Sequence, residues 1–538
     1  MPEVGVLYKQ WKPDGDYDAI VIGSGMGGLA TAALLAQHAG KRVLVLERHT
    51  TAGGFTHVFR RKGYEWDVGV HYIGSVHRDE SFLRTLFDRI SGGGLEWEDM
   101  GDVVDTVIVG DRRVEYLAGR EAWRQRMHAE FPDQADAIDH YMEMVDEVTQ
   151  RTRTFFASKA LPPAIGPVAG PLMRRGFLRL SDRTLGDVLD GLTSNQMLKA
   201  VLAAQFGDHG MPPSRASFAI HAMIFRHYLG GGAYPVGGSS RIAATVAPQI
   251  ESAGGQIVLG AEVATILIGD GRKAEGVELV DGRTLSAPIV ISDAGVPNTA
   301  RKLLPEGAPG RDRLIATVNR IGRSACHLCL YVGIRQTAEQ LGLGRSNLWV
   351  YPDADQDAAI DAYMDDPSAP IPLAYISFPS AKDPDFERRF PGRATVEVVS
   401  LANYDWFKPW EDKPWLKRGE DYDRLKERLS DRLLDILIRE VPQLDGVIDY
   451  HELSTPISTR HFADYDQGEI YGLEHSPARF RETALQPRTP LKGFYLTGQD
   501  VCTAGVAGAL FGAVVATSAV LGRDIVKDIM TSSHPTRQ

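Results

Sequence analysis

The stretch Val21-Ile22-Gly23-Ser24-Gly25-Met26-Gly27-Gly28 decides the fold of this chain. It follows an apolar strand at 18–22 and opens an Ala- and Leu-rich helix at about 27–39, which leads to a second strand at 42–47. In such a βαβ unit the first glycine of G-x-G-x-x-G permits a tight turn, the second lets a pyrophosphate approach the backbone, and the third allows close helix packing. The helix N-terminus adds unpaired N–H groups that favour an anion. The pattern therefore predicts a dinucleotide-binding unit. Its candidate cofactor residues are Gly23, Gly25, Met26 and Gly28.

An acid and a glycine pair follow the second strand. Glu47 ends this strand, where it can accept hydrogen bonds from ribose hydroxyls. Leu46-Glu47-Arg48 is followed by Ala52-Gly53-Gly54-Phe55, which resembles the acid-then-Gly-Gly signature of the amine oxidase and phytoene desaturase flavoproteins. In those proteins the two glycines pass close to the flavin, so the resemblance favours FAD over NAD. It adds the candidates Glu47, Arg48, Gly53 and Gly54.

A second glycine-rich element lies near the far end of the chain. Leu496-Thr497-Gly498-Gln499-Asp500 precedes Gly505-Val-Ala-Gly508-Ala-Leu-Phe-Gly512, which reads as a strand, an acid and a helix start. In the same class of flavoproteins this element brings helix N–H groups to the flavin and the acid to the ribityl chain. The run 501–522 is long enough for a membrane span, but its Gly and Ala content favours a buried helix. The candidates here are Gly498, Asp500, Gly505 and Val506.

The segments between these motifs predict the domain organisation. Strands at 262–268, 274–280 and 289–292 form an antiparallel meander and a returning strand, which many such flavoproteins insert into their FAD domain; Val263 is a further cofactor candidate. We expect an α/β fold with a discontinuous Rossmann-type FAD-binding domain and a mixed α+β substrate domain. The FAD-binding domain comprises 1–78, 231–304 and 479–538. The substrate domain comprises 79–230, expected to be mostly helical with its clearest helix at 121–150, and 305–478, with strands at 328–332 and 395–401 and a helix at 422–440.

Composition limits the classes of partner. The chain has 538 residues, of which 43% are hydrophobic and 24% charged, with a formal net charge of −11. Since no dense basic cluster is present, nucleic acid is not an expected partner. Three cysteines cannot form a disulfide framework, and no signal-peptide pattern is visible, so a cytoplasmic protein is expected. Cys326 and Cys329 form a C-x-x-C within an apolar strand, where they point to opposite faces, so no metal site is predicted.

Further stretches narrow the resemblance to one group of flavoproteins. They are Gly63-Tyr-Glu-Trp-Asp67-Val-Gly69-Val-His71-Tyr72-Ile-Gly74, Met211-Pro-Pro-Ser-Arg-Ala-Ser-Phe, Tyr234-Pro-Val-Gly237-Gly238-Ser-Ser, Gly468-Glu469-Ile-Tyr471-Gly472 and Thr497-Gly-Gln-Asp-Val. The chain resembles the carotenoid isomerase, phytoene desaturase and retinol saturase group, and the retinol saturases most of all. The matches extend over nearly the whole chain, which implies a shared fold. The resemblance implies an enzyme that acts on C=C bonds of a long apolar polyene, isoprenoid or unsaturated lipid.

The direction of the reaction stays open at this stage. Saturation by hydride from reduced FAD plus a proton is favoured, carotenoid-type desaturation or cis–trans isomerisation is the alternative, and a non-catalytic flavin or lipid carrier is a remote third possibility. No second G-x-G-x-x-G follows a strand to bind NAD(P)H. We therefore expect an unidentified electron donor and an apolar small-molecule substrate.

The Gly63–Gly74 stretch also contains candidate catalytic residues. A strand that carries Gly69 against the isoalloxazine ring would place His71 and Tyr72 beside its reactive edge, where a proton donor is useful. His71 is equally well explained as a core histidine. Tyr471 is a further candidate, and covalent attachment of the flavin through His57 or His71 stays open.

One segment mixes apolar residues with arginines. The stretch 161–180 combines prolines, leucines and glycines with Arg174, Arg175 and Arg179. Such a mixture suits the membrane interface, where arginines meet lipid headgroups and apolar groups insert. The alternative is a proline-rich loop that covers the substrate tunnel. We therefore expect a cytoplasmic protein that has possible peripheral contact with a membrane.

Overall fold

A computed structural model describes residues 4–162, 164–270 and 272–531. Its dinucleotide-binding unit is built on a parallel sheet, since every adjacent strand pair of that sheet is parallel. In spatial order the strands are Val6–Leu7, Gln256–Leu259, Val43–Glu47, Ala19–Ile22, Val290–Ser292 and Phe494–Leu496. The central strands are continuous apolar runs that are buried along their whole length, as expected for a sheet covered on both faces. The predicted Rossmann-type sheet is confirmed.

Helices cover one face of this sheet and the predicted meander covers the other. Helix Met26–Ala39 packs against helix Arg241–Glu251 and against the glycine-rich helix Gly505–Leu521. On the opposite face, Ile20 and Leu44 share a core with the meander. The meander strands are Val263–Gly269, Lys273–Leu279 and Thr284–Ser286. In the part of the chain that the structure describes, no helix is both long and apolar enough to cross a bilayer.

A second, largely antiparallel sheet forms the other layer of the molecule. In spatial order its strands are Ile448–Ser454, Cys326–Ile334, Ala394–Ala402, Ala374–Ser377, Asn347–Tyr351, Val103–Val109 and Arg112–Leu117. Within it, Asn347–Tyr351 and Val103–Val109 pair in parallel. Cys326 and Cys329 are both buried, and they lie in different core clusters, as the strand prediction requires.

The expectation of a mostly helical 79–230 was incomplete. This segment contains the strands Trp97–Asp99, Val103–Val109 and Arg112–Leu117, the last two joined by a two-residue turn at Gly110. The predicted helix at 121–150 is divided into Arg120–Glu130 and Ala135–Ala157 because Pro132 interrupts it, and proline cannot supply an interior helix hydrogen bond. The other α-helices of this segment are Phe82–Ser91, Gly166–Ser181, Leu185–Leu192, Gln196–Ala203 and Phe218–Tyr228.

The remaining elements lie outside the two main sheets. Helix Glu420–Glu440 packs beneath the second sheet, in agreement with the predicted helix at 422–440. Two small strand units lie between the main sheets in the chain path. One is the hairpin of Val58–Arg61 and Tyr64–Asp67, and the other is the sheet of Ile73–Gly74, Gly232–Pro235 and Trp97–Asp99. The other α-helices are Val296–Asn298, Arg311–Ile321, Gln356–Asp365, Pro379–Lys382, Phe386–Arg389, Pro456–Ala463, Pro477–Arg481 and Val526–Thr531. The domain boundaries stay a prediction, and their segments 1–3 and 532–538 lie outside the described residues.

Candidate active site

A cavity of about 2320 Å³ contains most of the predicted site residues. Its volume exceeds the roughly 300–1,000 Å³ of an ordinary ligand pocket, so a large cofactor and a second ligand can share it. The predicted residues that line it are Gly23, Gly25, Met26, Glu47, Arg48, Gly53, Gly54, Gly69, His71, Tyr72, Val263, Tyr471, Asp500, Gly505 and Val506. Gly28 and Gly498 lie behind the wall, in close packing: a β-carbon on Gly28 would stand 2.2 Å from the carbonyl oxygen of Gly23.

The glycine turn has the shape of a pyrophosphate cradle. Gly23 has a φ of +98°, a conformation that side chains rarely tolerate. Helix Met26–Ala39 begins after Gly25 without a side-chain cap on its N-cap residue. The N–H of Gly28 contacts the Asp293 carboxyl, which leaves the earlier N–H groups of the first turn to an anion. A β-carbon on Gly54 would stand only 3.0 Å from the α-carbon of Gly25. The Gly53-Gly54 loop therefore needs glycine to approach the cradle.

Glu47 is held in place at the end of its strand. Its buried carboxylate accepts hydrogen bonds from the backbone N–H of Ser24 at 2.9 Å, the Ser24 hydroxyl at 2.7 Å and the backbone N–H of His49 at 2.7 Å. These donors fix the carboxylate at the cavity wall, where a ribose would sit. Arg48 instead donates through Nη1 to the carbonyl oxygens of His461 and Phe462, which connects the cradle to the later part of the chain.

The C-terminal motif closes the other end of the cavity. The Asp500 carboxylate accepts the backbone N–H groups of Val296 at 2.7 Å and Leu473 at 2.9 Å, so its orientation is fixed. Gly505, with a φ of +76°, begins helix Gly505–Leu521 at the cavity wall. A β-carbon on Gly512 would stand 2.3 Å from the carbonyl oxygen of Gly498. This contact seats the helix on the turn that follows the last strand of the parallel sheet.

Sequence reasoning missed Asp293, which lies at the centre of this cradle. A β-carbon on Gly25 or Gly498 would stand 2.7 or 2.3 Å from its carboxyl oxygens. Burial raises the pKa of Asp293 to about 8, and the charges of Glu47 and Asp500 act in the same direction. A signal for Asp293 was available in the sequence, since this residue directly follows strand Val290–Ser292. That strand pairs in parallel with strand Ala19–Ile22, and the carboxyl ends of parallel strands meet at one edge of a sheet.

The residues of the cradle fit FAD. Two glycine-started helices, at Gly25 and Gly505, line the same cavity as the fixed carboxylate of Glu47, the acid predicted to meet a ribose. Such helix starts supply N–H groups and a positive dipole end to phosphates and to electron-rich ring atoms. Glu47, Gly25 and Gly54 would hold the adenosine and pyrophosphate side, and Gly69, Asp500 and Gly505 the flavin side.

A buried polar network lies behind His71. The Nδ1 of His71 is 2.8 Å from Oε2 of Glu397, whose Oε1 accepts the backbone N–H of Asp67 at 2.9 Å. Lys382 donates through Nζ to the carbonyl oxygen of His71 at 2.9 Å. Burial raises the pKa of Glu397 and lowers the pKa values of His71 and Lys382. His71 and Glu397 can therefore share one proton between them near neutral pH.

Glu397 and Lys382 were not among the predicted site residues. Glu397 is the one charged residue of strand Ala394–Ala402. A single charge in such a strand is a signal that sequence reasoning could have used. Lys382 ends the short helix Pro379–Lys382 and is fully buried. It offered no comparable pattern.

Tyr72 and Tyr471 line the same cavity as His71. The Tyr72 hydroxyl donates to Oδ2 of Asp105 at 3.2 Å, and its ring stacks on Tyr228 with a centroid distance of 4.1 Å. Tyr375 lies 5.2 Å from the His71 ring, centroid to centroid. The structure thus brings the three predicted catalytic residues to one aromatic-walled region, while their roles in catalysis stay predictions.

Comparison with known proteins agrees with this geometry. Residues 26–521 match the family of flavin containing amine oxidoreductases. The chain is 38% identical to all-trans-retinol 13,14-reductase of Danio rerio over 531 residues, which cover 95% of this chain and 87% of the relative. It is 37% identical to all-trans-retinol 13,14-reductase of Homo sapiens, with coverage of 95% and 87%. Among solved structures, cyclohexylamine oxidase from Brevibacterium oxydans superimposes with a TM-score of 0.59 at 17% identity, covering 96% of this chain and 100% of that one, which shows a shared fold.

The family match covers more than half of the chain, and the relatives are similar over most of their own length. Together with the cradle geometry, these similarities make FAD the cofactor. The chain therefore belongs to the flavin containing amine oxidoreductases, in the group of the all-trans-retinol 13,14-reductases, and is an FAD-dependent oxidoreductase that acts on C=C bonds.

Proposed function

We propose that the chain saturates one C=C bond of a long polyene that resembles retinol. The observation that carries the proposal is that His71 lines the cavity that also contains the FAD cradle, while Glu397 contacts His71 from behind the cavity wall. FAD, when bound and reduced, supplies a hydride to one alkene carbon. The second carbon then needs a proton, and the protein must provide it in a site that excludes water.

His71 is suited to deliver this proton. Because Nδ1 faces Glu397, Nε2 is the ring nitrogen that can face the cavity. A protonated Glu397 that donates to Nδ1 fixes the tautomer with hydrogen on Nε2. When Nε2–H gives its proton to carbon, Glu397 can give its own proton to Nδ1, so the imidazole never has to become a buried anion. Tyr72, with its hydroxyl on Asp105, is the second candidate donor.

The aromatic wall orients the alkene. Tyr72, Tyr228, Tyr375 and Trp349 all line the cavity, and the Trp349 and Tyr375 rings lie 4.6 Å apart, centroid to centroid. Such rings offer large apolar faces to a flat conjugated chain while presenting few groups that would retain water. They hold a polyene and keep bulk solvent from competing for the proton.

The direction of the reaction is tested by product mass. Chemically reduced holoprotein is incubated anaerobically with a panel of polyenes and unsaturated lipids. A gain of two hydrogens supports saturation. A loss of two hydrogens by the oxidised protein would replace it with desaturation, and an unchanged mass with altered retention would replace it with isomerisation.

We also propose that the electrons come from a protein or small carrier that docks transiently. The proposal is supported by the sequence, in which no second strand-linked G-x-G-x-x-G is apparent for NAD(P)H. Anaerobic mixing with NADPH, with and without a ferredoxin-type carrier, tests it by the loss of visible flavin absorbance on reduction. Rapid bleaching by NADPH alone would contradict it.

We further propose a cytoplasmic protein that contacts a membrane through the segment 161–180. Most of this segment lies in helix Gly166–Ser181, while Pro163 lies outside the described residues. Its Val168 and Leu172 side chains are 76% and 73% exposed, although they are apolar. Met173 and Leu161, in the same segment, line the cavity. An apolar edge beside a cavity wall, flanked by arginines, suits uptake of a water-insoluble substrate from anionic lipid.

A further inference from the structure

We propose that Asp208 binds the hydroxyl group at the end of the substrate, and that this anchor selects the double bond nearest the alcohol for reduction. The inference rests on the proposed saturation of a polyene. Asp208 lines the cavity but belongs to none of the motifs that identified the family.

Tight packing fixes the position of the Asp208 loop. A β-carbon on Gly207 would stand 2.6 Å from Cζ3 of Trp349, so the chain can approach that ring only with glycine. Three residues later, Gly210, with a φ of +72°, packs against the ring of Tyr471. Asp208 is therefore held between an aromatic residue of the second sheet and the predicted catalytic residue Tyr471.

The carboxyl of Asp208 has capacity for a further hydrogen bond. Its Oδ2 is buried and has no hydrogen-bond partner among the residues that the structure describes. Burial raises the pKa of Asp208 well above its usual range, and the carboxylate of Asp105 adds to the effect. This shift favours the protonated carboxyl, which can both donate and accept a hydrogen bond, and the unpartnered Oδ2 is the atom through which it would do so.

The neighbouring acid Asp105 is also buried, and burial also raises its pKa, but its hydrogen bonds are satisfied within the protein. Its carboxylate accepts hydrogen bonds from Gln205 at 2.9 Å, Asn347 at 3.0 Å and the Tyr72 hydroxyl at 3.2 Å. Three donors satisfy Asp105 within the protein, whereas Asp208 faces the cavity. Two adjacent carboxyls with such different surroundings divide their roles: Asp105 positions Tyr72, and Asp208 is available to a ligand.

The surroundings define the class of ligand. The rings of Tyr228, Tyr375 and Trp349 line the cavity together with Asp208, so the site accepts an apolar conjugated body that carries one small polar group. A hydroxyl group can supply the hydrogen bond that Oδ2 of Asp208 lacks, because it can both donate and accept. A hydrocarbon of the same shape leaves the buried carboxyl without a partner, which is the condition under which a site discriminates strongly.

The same anchor sets the position of the substrate along the cavity. Asp208 interacts with the Tyr72 hydroxyl. The rings of Tyr72 and His71 both lie beside Tyr375, with centroid distances of 6.3 and 5.2 Å. A hydroxyl bound at Asp208 therefore lies close to both proposed proton donors. The double bond within a few atoms of the alcohol is then the one presented for reduction, and more distant double bonds lie beyond the donors.

Binding to oxidised holoprotein tests the anchor without turnover. The probes are all-trans-retinol and the matched hydrocarbon that lacks its hydroxyl, and the variants are Asp208→Leu and Asp208→Asn. We expect wild type to prefer the alcohol by about 10- to 100-fold in Kd. The Leu variant loses this preference, while the Asn variant keeps most of it because an amide can also donate and accept. Asp423→Asn, a carboxyl change on the exposed cavity rim, is the matched control and should retain the wild-type ratio.

Product analysis completes the test with reduced holoprotein. We expect wild type to give a single product, reduced at the bond nearest the alcohol, and Asp208→Leu to give a mixture of positions. A Leu variant that keeps both the binding ratio and the single product would overturn the anchor. An Asn variant that binds normally but cannot turn over would make Asp208 a proton donor instead. If no alkene is reduced by any variant, the saturase proposal fails, whereas the binding ratios still decide the role of Asp208.

Discussion

His71 Nδ1 and Glu397 Oε2 lie 2.8 Å apart, although 326 positions separate the two residues in the sequence. The contact joins the turn after hairpin strand Tyr64–Asp67 to the middle of strand Ala394–Ala402. It places an acid that retains its proton behind a histidine that faces the cavity. The orientation of His71 therefore depends on a residue that does not itself line the cavity.

Replacing Glu397 with Gln should slow substrate-driven reoxidation of the reduced flavin while FAD remains bound. Gln can still hold the His71 ring, but it cannot give a proton to Nδ1. His71→Ala should slow the step more, up to the factor of about 100 to 10,000 that a general acid contributes. Stopped-flow absorbance under anaerobic conditions measures both rates. Wild-type rates in His71→Ala and Tyr72→Phe would move the proton donor elsewhere, with Tyr471 tested next.

The pH profile gives a separate readout for Glu397. Burial raises its pKa to about 8, and the proposed relay needs its protonated form. The rate should therefore be at its full value below that pKa and fall as the pH rises through it. Glu397→Gln should lack this alkaline limb. A limb that persists unchanged in the Gln variant would assign the titration to another group.

Gly25→Val should abolish FAD binding. A β-carbon at Gly25 would already stand 2.7 Å from Oδ2 of Asp293, and the branches of valine would fill the cradle itself. Glu47→Ala should weaken binding less, since it removes only the ribose contacts. Titration of apoprotein with FAD measures both. Gly344→Val is the control, because its β-carbon would meet nothing within 4 Å; wild-type affinity in Gly25→Val would show that the cofactor lies elsewhere.

FAD affinity should decrease as the pH rises through about 8. The pKa of Asp293 in the cradle is raised to about 8, so the group is uncharged below that pH and gains a negative charge above it. A carboxylate beside the pyrophosphate site repels the cofactor, and the sign of the effect follows. Asp293→Asn should remove the dependence, which FAD titrations at pH 6.5, 8 and about 9.5 would detect by fluorescence. An unchanged slope in the Asn variant would be incompatible with this role for Asp293.

The FAD should be released by acid precipitation. His57 and His71, the residues through which covalent attachment was left open, both line the cavity. The Nδ1 of each ring already has a partner, since His57 contacts the carbonyl oxygen of Gly54 and His71 contacts Glu397. Absorbance of the supernatant measures free FAD. Flavin that stays with the precipitated protein would indicate a covalent bond.

Replacing Arg174, Arg175 and Arg179 with Glu should release the protein from anionic vesicles. Each reversal exchanges attraction to lipid phosphate for repulsion, and an arginine near such a surface contributes about 1 kcal/mol. Val168→Ser with Leu172→Ser should weaken binding with less dependence on salt. Co-sedimentation with phosphatidylserine vesicles at low salt measures both effects. Wild-type protein that never sediments would leave 161–180 as a cover of the cavity.

A matched control keeps the total charge change equal. It reverses three exposed arginines on other helices: Arg388, Arg424 and Arg439. If this control releases the protein equally, the attraction is a property of overall charge and not of the segment 161–180.

The sequence was sufficient for those features that local patterns determine. Gly23, Gly25 and Glu47 belong to one strand-turn-helix-strand unit, and the requirement for glycine there arises within a few residues. The strands at 103–117 were not predicted, because most of the segment 79–230 has helical periodicity and these two short strands lie within it. The lone charge in strand Ala394–Ala402 marks Glu397 as unusual but does not name its partner. No local pattern could assign Asp208, because its role depends on which distant residues the fold places beside it.

The Gly512 contact with Gly498 also has a consequence for the order of assembly. The cradle at Gly25 is synthesised early, but the strand Phe494–Leu496 and the helix Gly505–Leu521 that close it are made nearly five hundred residues later. Pairings over such a separation form slowly, because a long loop must close first. Until then a ribosome-bound chain exposes the unpaired backbone edge of the apolar strand Val290–Ser292, which pairs with Phe494–Leu496 in the finished sheet. Flavin capture is therefore expected after translation, and a shortage of the cofactor would prolong the interval in which that edge is open to chaperones and to aggregation.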